Sequence, residues 1–498
     1  PTDWDSYMGS NDDTWMYYNG TVYHNGSTTS YGSTYGVGDI VGMVLDTDGG
    51  GSISWHLNGV DQGIAFSDLN DHGAIDTKTF HFGCGANTQY TIFNFGQKPF
   101  AYPPPKGCKT LCTANLPLKN IARSDTSFNT ILWTGNSATR NIAGLNFQPD
   151  LVWIKDRDAA YNHVWQDSVR GAGSTTKLSS NLSAGQGAGD NAYEWAGYVS
   201  SFNKEGFTID KSGSGAIDWA NVNKSSDKYV AWGWKAGGNK GTFNIDDLAY
   251  ATSAAAGLDA GSMTVTGASV GTKQGFSIIK YQSKSGGGGF SHGLTQQPEI
   301  IFTKDMDASD YWGCYFTVEG VNTQWMMLND TSDIGSNNSG ETPTGGVSGG
   351  YASFSSTQCY VASSAFANAS NVAGHNLVAY IWHSVPGFSK FGSYKGSNSA
   401  NGGCIYLGFK PEIIIYKNSS ATSNWAIYDS TRGPYNTGNK RIRANTVDTE
   451  GDVDRVDVFS NGFQLVSSSF PNTDATYLYM AWAKSPFSDL YGGQSNAF

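Results

Sequence analysis

Apolar residues in this chain come in short runs, broken by stretches rich in Ser, Thr, Asn and Gly, and one such run recurs in a fixed frame. Pro149-Asp150-Leu151-Val152-Trp153-Ile154-Lys155 returns as Pro298-Glu299-Ile300-Ile301-Phe302-Thr303-Lys304 and again as Pro411-Glu412-Ile413-Ile414-Ile415-Tyr416-Lys417. Each copy is a Pro, an acid, an apolar run and a closing Lys, preceded by a Gly-containing turn, which is how a turn feeds a buried strand. Proline is excluded from the middle of a central strand, so it marks the strand's entrance. Downstream, Tyr229-Val230-Ala231-Trp232 matches Leu377-Val378-Ala379-Tyr380 and Tyr479-Met480-Ala481-Trp482, and Gly206-Phe207 matches Gly462-Phe463. Asp167-Ser168-Val169-Arg170-Gly171, after Trp165, matches Asp429-Ser430-Thr431-Arg432-Gly433, after Trp425; in the second copy only Leu328-Asn329-Asp330 resembles it.

No stretch sustains a period of 3.6 residues, so the pattern predicts an all-β protein: an N-terminal β-domain followed by three related β-sandwich modules in tandem. The boundaries read as 1–106 for the first domain, a linker over 107–126, module 1 over 127–250, a linker over 251–272, module 2 over 273–386 and module 3 over 387–498. Residues 127–246, 273–386 and 387–485 are expected to share one topology. Pro149, Pro298 and Pro411 should sit at the same strand entrance, and Trp232, Tyr380 and Trp482 on the same inward face, because a one-residue slip would turn every apolar side chain outward.

Composition supports this and narrows function. Gly supplies 63 of 498 residues, against a usual share of about 7%, and only 15% of residues are charged, against about 25% in typical domains. The net charge of −11 argues against a nucleic-acid binder, which needs clustered Lys and Arg. No apolar stretch approaches the roughly 18 residues of a membrane span, so no membrane insertion is expected. The chain opens on Pro1 rather than Met, as a fragment or processed product would.

Candidate chemistry is sparse. Asp46-Thr47-Asp48-Gly49-Gly50 begins like a calcium loop, but Gly50 and Leu57 stand where ligands are needed, so a hairpin turn is expected. The acidic run Asp448, Glu450, Asp452, Asp454 and Asp457 reads as a solvated loop facing Lys440, Arg441 and Arg443. Ser168 lies between Asp167 and Arg170 without a nucleophile elbow around it. The expected role of Asp167 with Arg170, and of Asp429 with Arg432, is structural: a strand-to-loop corner tied by charge-assisted hydrogen bonds. Eight His show no metal-ligand spacing, and Cys108 and Cys112 would be only half of a zinc site. No metal, no cofactor and no enzymatic activity are expected.

Residues 15–100 carry a further pattern. Gly38-Asp39-Ile40-Val41-Gly42, Leu45-Asp46 and Trp55-His56-Leu57-Asn58-Gly59, with Asn94-Phe95-Gly96 as a closing strand, resemble the SPRY domain, a β-sandwich. Joined to the Pro-rich linker Ala101-Tyr102-Pro103-Pro104-Pro105-Lys106-Gly107, to Leu111-Cys112-Thr113-Ala114-Asn115-Leu116-Pro117 and to the first module, the arrangement is similar to virion fibre and tail-adhesion proteins of tailed bacteriophages, especially those of marine cyanobacteria. The likeness is good over residues 1–246 and looser beyond. It implies a structural protein of the virion, assembled in the host cytoplasm as a homotrimer, held to other virion proteins by its N-terminal side and attached to host polysaccharide or surface protein, with no nucleic-acid partner. A purely architectural fibre, or a tailspike depolymerase, is the alternative. On such a scaffold, contact belongs to loop aromatics and arginine. Tyr311, Trp312, Trp325, Tyr435 and Arg441 are the candidates, with residues 419–424, 431–439 and 445–454 as the contact loops, whereas Trp153, Trp232 and Trp482 belong to the core.

Overall fold

The computed structural model describes residues 14–46, 51–67, 69, 91–95, 98–108, 121, 123–317, 324–333, 351–361, 373–400, 402–436, 438–484, 487–488 and 494–495. Among these there is no α-helix, only strands and short 3-10 turns, as the apolar pattern predicts. The chain divides into two units, Pro1–Leu118 and Lys119–Phe498.

The first unit contains two three-stranded antiparallel sheets. One is Trp15–Tyr18, Thr21–His24 and Ser27–Ser30, and the other is Val41–Asp46, Ser52–Leu57 and Val60–Ser67. Tight two-residue turns join them: Asn19-Gly20, Asn25-Gly26 and Asn58-Gly59 all have positive φ at both positions, the geometry that matches strand twist and that Asn-Gly adopts readily. Tyr17, Val22, Ile53, Trp55 and Leu69 form the core of this unit. Asn94 and Phe95, expected in a closing strand, have irregular backbone, and Gly96 lies outside the described residues, as does most of the Asp46 to Gly50 turn.

In the second unit each module has the same inner sheet of four antiparallel strands. A hairpin strand lies beside the proline strand, then comes the closing strand, then the opening strand. The proline strands are Leu151–Asp156, Ile300–Asp305 and Pro411–Asn418, and the closing strands are Lys228–Trp234, Asn376–Trp382 and Thr476–Ala483. The hairpin strands are Val164–Asp167, Gly313–Phe316 and Ala426–Asp429, and the opening strands Phe128–Thr134, Phe276–Gln282 and Ser389–Lys395. A second layer completes each sandwich, built around Gly206–Asp210, Gln358–Val361 and Gly462–Leu465; in module 3 it is continuous with the inner sheet through Gly438–Arg443.

Every residue of the three proline strands is buried, which explains why their apolar runs are unbroken rather than alternating. Val152 and Ile154 face the module 1 sandwich, Ile301 that of module 2, and Ile414 and Tyr416 that of module 3. The other faces meet in one common core: Leu151 and Trp153, Ile300 and Phe302, Ile413 and Ile415 all belong to it. Ring contacts tie each pair of modules, with Trp165 against Tyr380 at 5.1 Å, Trp382 against Trp482 at 6.1 Å and Trp234 against Trp482 at 5.5 Å. The three modules therefore stand around a shared aromatic centre, each covering the inner sheets of the other two.

Pairing registers set the equivalences. Trp234, Trp382 and Trp482 pair with Leu151, Ile300 and Ile413, so these three are counterparts. Trp232 and Tyr380 are counterparts of each other, but their third partner is Met480, not Trp482. All lie in the common core, because a two-residue offset keeps the same face. Similarly, Asp167 and Asp429 pair with Leu151 and Ile413, and the residue that pairs with Ile300 is Phe316. The second copy's corner thus begins at Phe316, and Leu328-Asn329-Asp330 lies elsewhere. Residues 251–272, expected as a linker, include the strand Thr264–Gly271, which pairs with Phe276–Gln282 and extends the module 2 inner sheet; Phe243–Ile245 joins it in parallel.

The closing lysines of the repeated phrase are buried at equivalent places. Lys155, Lys304 and Lys417 donate to the carbonyl oxygens of Asp156, Asp305 and Asn418 at 2.6, 2.9 and 3.1 Å, and burial lowers each ammonium from its usual value to about 8.

Candidate functional site

The modules are joined by polar contacts that run around the ring in one sense. Trp312, just ahead of the module 2 hairpin strand, donates its indole N–H to Ser179 O in module 1 at 3.0 Å. Its counterpart in module 3, Trp425, donates to Met327 O in module 2 at 2.8 Å. In module 1 the same place is taken by His163, whose Nε2 lies 3.1 Å from Arg443 O of module 3, closing the ring. An Asn anchors each position, with Asn181, Asn329 and Asn445 accepting from the backbone N–H of His163, Trp312 and Trp425. Trp312 is fully buried, so it belongs to this joint and offers no outside contact.

His163 titrates in a direction that bears on the joint. Its Nδ1 accepts from Trp153 Nε1 at 2.9 Å, so the proton sits on Nε2 and is donated outward. Burial first, then the nearby Lys155 charge, pushes its pKa down from 6.5 to about 3. Because the folded value is below the unfolded one, the stability linked to this residue is complete above about pH 6.5 and is lost as pH falls toward 3, by up to about 1.4 kcal/mol per unit. His163→Gln, which offers both an acceptor and donors, is expected to flatten this part of the acid limb in denaturant titrations from pH 7 to pH 4. An unchanged pH profile would contradict the assignment.

The corner motifs use the same ring. Arg170 and Asp167 form an ion pair at 2.5 Å whose side chains are almost wholly buried, and Tyr380 of module 2 donates to Asp167 Oδ2 at 2.7 Å. Arg432 and Asp429 pair identically at 2.5 Å, and Trp232 of module 1 donates to Asp429 Oδ2 at 2.9 Å. Where the corner holds Phe316, the position equivalent to Trp232 and Tyr380 is the non-donor Met480. Charge and donor disappear together, so the second copy is not a decayed corner but an apolar version of the same joint. Glu450 adds a further tie between modules, bridging Arg157 at 2.8 Å and Arg432 at 3.1 Å. The acidic run around it was expected to be a solvated loop; Gly451–Phe459 is instead a strand, with Lys440 paired to Asp452 and Arg443 to Asp448. Among the described residues no group of His, Cys, Asp and Glu could hold a metal ion, and Cys108 is free while Cys112 lies outside the described residues.

Outside these joints, module 3 carries a shallow cleft, open to solvent, lined by Lys410, Glu412, Ser430, Asn436, Lys440 and Lys484 among others. Glu412, the acid of the repeated phrase, accepts from Ser430 Oγ at 2.6 Å and Thr431 Oγ1 at 2.5 Å, and Lys484 Nζ lies 3.3 Å from it and 2.8 Å from Ser430 Oγ. Lys410 is half-buried; burial and then the adjacent Lys484 charge lower its pKa from the usual value. The adjoining loop lines the cleft with Gly433, Pro434 and Asn436, while Tyr435 between them is 82% exposed and outside the lining; the Asn436 side chain both donates to Val458 O and accepts from Val458 N. Tyr311 is exposed, Arg441 is half-buried, and the side chain of Trp325, on the strand Gln324–Met327, lies outside the described residues. Sequence reading named Tyr435 but missed Lys410 and Lys484, whose signal was that modules 1 and 2 carry Gln148 and Gln297, Ala236 and Ser384 at the matching places.

No curated protein and no solved structure matches the chain. The profile of the SPRY domain matches residues 2–98, over the N-terminal unit with its two small sheets. A second profile, described as a domain of unknown function, DUF7483, matches residues 123–486, more than two thirds of the chain, and so spans all three modules and their common core as one family domain. The chain therefore belongs to the DUF7483 family and carries a SPRY domain ahead of that domain.

Proposed function

We propose that this chain is a structural fibre protein of a tailed-bacteriophage virion that attaches the particle to the host surface by binding, without catalysis, through the outer loops of module 3. The observation that carries the reading is the third copy's departure from its scaffold: its loop presents an exposed Tyr435 where module 1 has Gly173. A rigid repeated core with one divergent face is the usual setting of a binding site. The resemblance of residues 1–246 to phage adhesion proteins supplies the biological context, with the N-terminal side toward other virion proteins. A homotrimer rests on that resemblance alone, since the modules cover their inner sheets within one chain; light scattering of the assembled protein is expected to give a three-chain mass, and a one-chain mass would remove it.

Tyr435→Ala and Arg441→Ala are each expected to cost about 1–2 kcal/mol of receptor binding. The reading is tested with a Fab against residues 431–436 and particles of the phage that encodes the chain. Labelled fibres and blocked adsorption are expected; unlabelled particles, or full adsorption under saturating Fab, would overturn it.

A further inference from the structure

We infer that Arg441, with the phenols of Tyr416 and Tyr428 beside it, binds an oxyanion: the carboxylate, sulfate or phosphate group of an acidic ligand. This names a ligand chemistry for the attachment reading and rests on that reading only for where the ligand comes from. The argument starts from two copies of one position. Trp165 bridges Leu178 in module 1 as Ile427 pairs with Ile442 in module 3, so Lys177 and Arg441 hold the same place in the scaffold. In module 1 the chain closes over this cation. The connection to the outer layer runs over residues 179–197, and Lys177, fully buried, donates to Tyr193 O at 2.8 Å between the short turns Gly189–Ala192 and Glu194–Ala196. Burial lowers the Lys177 ammonium to about 8, and Asp190 and Glu194 of those turns oppose the shift. Module 3 makes the same connection in residues 444–450, too short to form such a cover. Arg441 is left half-buried, with no hydrogen bond and no ion pair among the described residues. The flanking cations of its strand are served, Lys440 by Asp452 and Arg443 by Asp448.

What surrounds Arg441 adds donors and no acceptor. Tyr416 and Tyr428 are buried, and their hydroxyls adjoin each other and the Arg441 charge without a hydrogen-bond partner in good geometry. Burial raises both phenols above their ordinary value, so both keep their protons at neutral pH. Even a bond between the two hydroxyls would use one proton and leave the other O–H without an acceptor. Arg455, whose charge also acts on Tyr428, donates through Nη1 to Ser467 Oγ at 2.6 Å, while its buried Nε–H has no partner. Buried donors that lack acceptors are costly, and an anion is the group that satisfies several at once. Module 1 has Ile154 and Gln166 where module 3 has Tyr416 and Tyr428, and Gln166 is consumed by Gly173 O and the Val199 N–H, so this donor set belongs to module 3. Room for the anion lies across the strand pair. Gly451 stands opposite Arg441, and a Cβ placed there would meet only Arg441 Nη2, at 3.9 Å. The guanidinium fork is thus reachable, and its paired N–H groups match the two oxygens of a carboxylate or phosphate.

The test titrates the full chain with inorganic phosphate against chloride at matched ionic strength, reading tyrosine near-UV difference spectra and the urea midpoint. A saturable tyrosine signal with phosphate alone is expected, together with a midpoint that rises by mass action. Arg441→Gln should weaken phosphate binding at least about tenfold while the chain still folds, and Tyr428→Phe should weaken it less. Gly451→Asp, which sets a carboxylate opposite Arg441, should raise the midpoint without phosphate and remove the phosphate response. Polyglucuronate is expected to displace phosphate, and neutral dextran is not. No saturable signal, an equal response from Arg441→Gln, or displacement by neither polymer or by both would each overturn the inference. The Fab experiment is independent of this titration. Blocked adsorption with no phosphate response leaves attachment standing and removes the site, whereas full adsorption under saturating Fab with a phosphate response lost in Arg441→Gln removes attachment and leaves the site.

Discussion

Asp167→Ala is expected to destabilise the protein by about 3–5 kcal/mol, because it leaves the Arg170 guanidinium charged and without a counterion inside the ring. Asp167 accepts from the backbone N–H of Val169 and Arg170 at 3.0 and 2.9 Å, from Arg170 Nε at 2.5 Å and from Tyr380 OH at 2.7 Å, so one carboxylate ties a turn, a side chain and a neighbouring module. Tyr380→Phe removes only the last of these and should cost about 1 kcal/mol. The second copy indicates how the loss can be repaired. Replacing Asp167, Arg170 and Tyr380 together by Phe, Met and Met imitates the Phe316 and Met480 version of the joint, and removing a buried charge pair whole is often close to neutral. The triple variant is expected to recover most of the lost stability. Guanidinium chloride midpoints at constant m read these differences, and a cost below about 1 kcal/mol for Asp167→Ala would mean that the pair is solvated.

Trp482→Ala is the second large effect, at about 3–5 kcal/mol for truncating a buried tryptophan. Trp482 is 1% exposed and its ring lies 5.5 Å from Trp234, 6.1 Å from Trp382 and 5.4 Å from Phe391, so the cavity opens where all three modules meet. Its consequence should be felt beyond its own module.

The three proline strands were legible because each unbroken apolar run is framed by a proline before it and a lysine after it. What covered the second face of those runs was not legible, since two-sided burial looks the same whether the cover is a sheet, another module or another chain. The mistaken match of Trp482 with Trp232 has a simple origin: a two-residue offset in a strand preserves the buried face, so hydrophobic pattern alone cannot detect it. The corner of the second copy was hidden because Phe316 shares no chemistry with Asp167, and the compensating change, Met480 for Trp232 and Tyr380, lies far away in sequence. Trp312 looked like a loop aromatic because it stands immediately before a strand; its spacing to Asn329, echoed by Trp425 with Asn445, was the available sign of a structural role. The exposure of Tyr435 was readable from its place in a loop, while the lysines Lys410 and Lys484 stand out only when the copies are aligned on the buried acid they flank.

The central claim, that one core binds the three modules into a single ring, is tested most directly by native-state hydrogen exchange on the full chain with and without Trp482→Ala. The account predicts that the closing strands Lys228–Trp234, Asn376–Trp382 and Thr476–Ala483 exchange through a common opening in low denaturant, and that the substitution lowers protection in all three by the same amount. Loss of protection confined to module 3, with the strands of modules 1 and 2 unchanged, would contradict it.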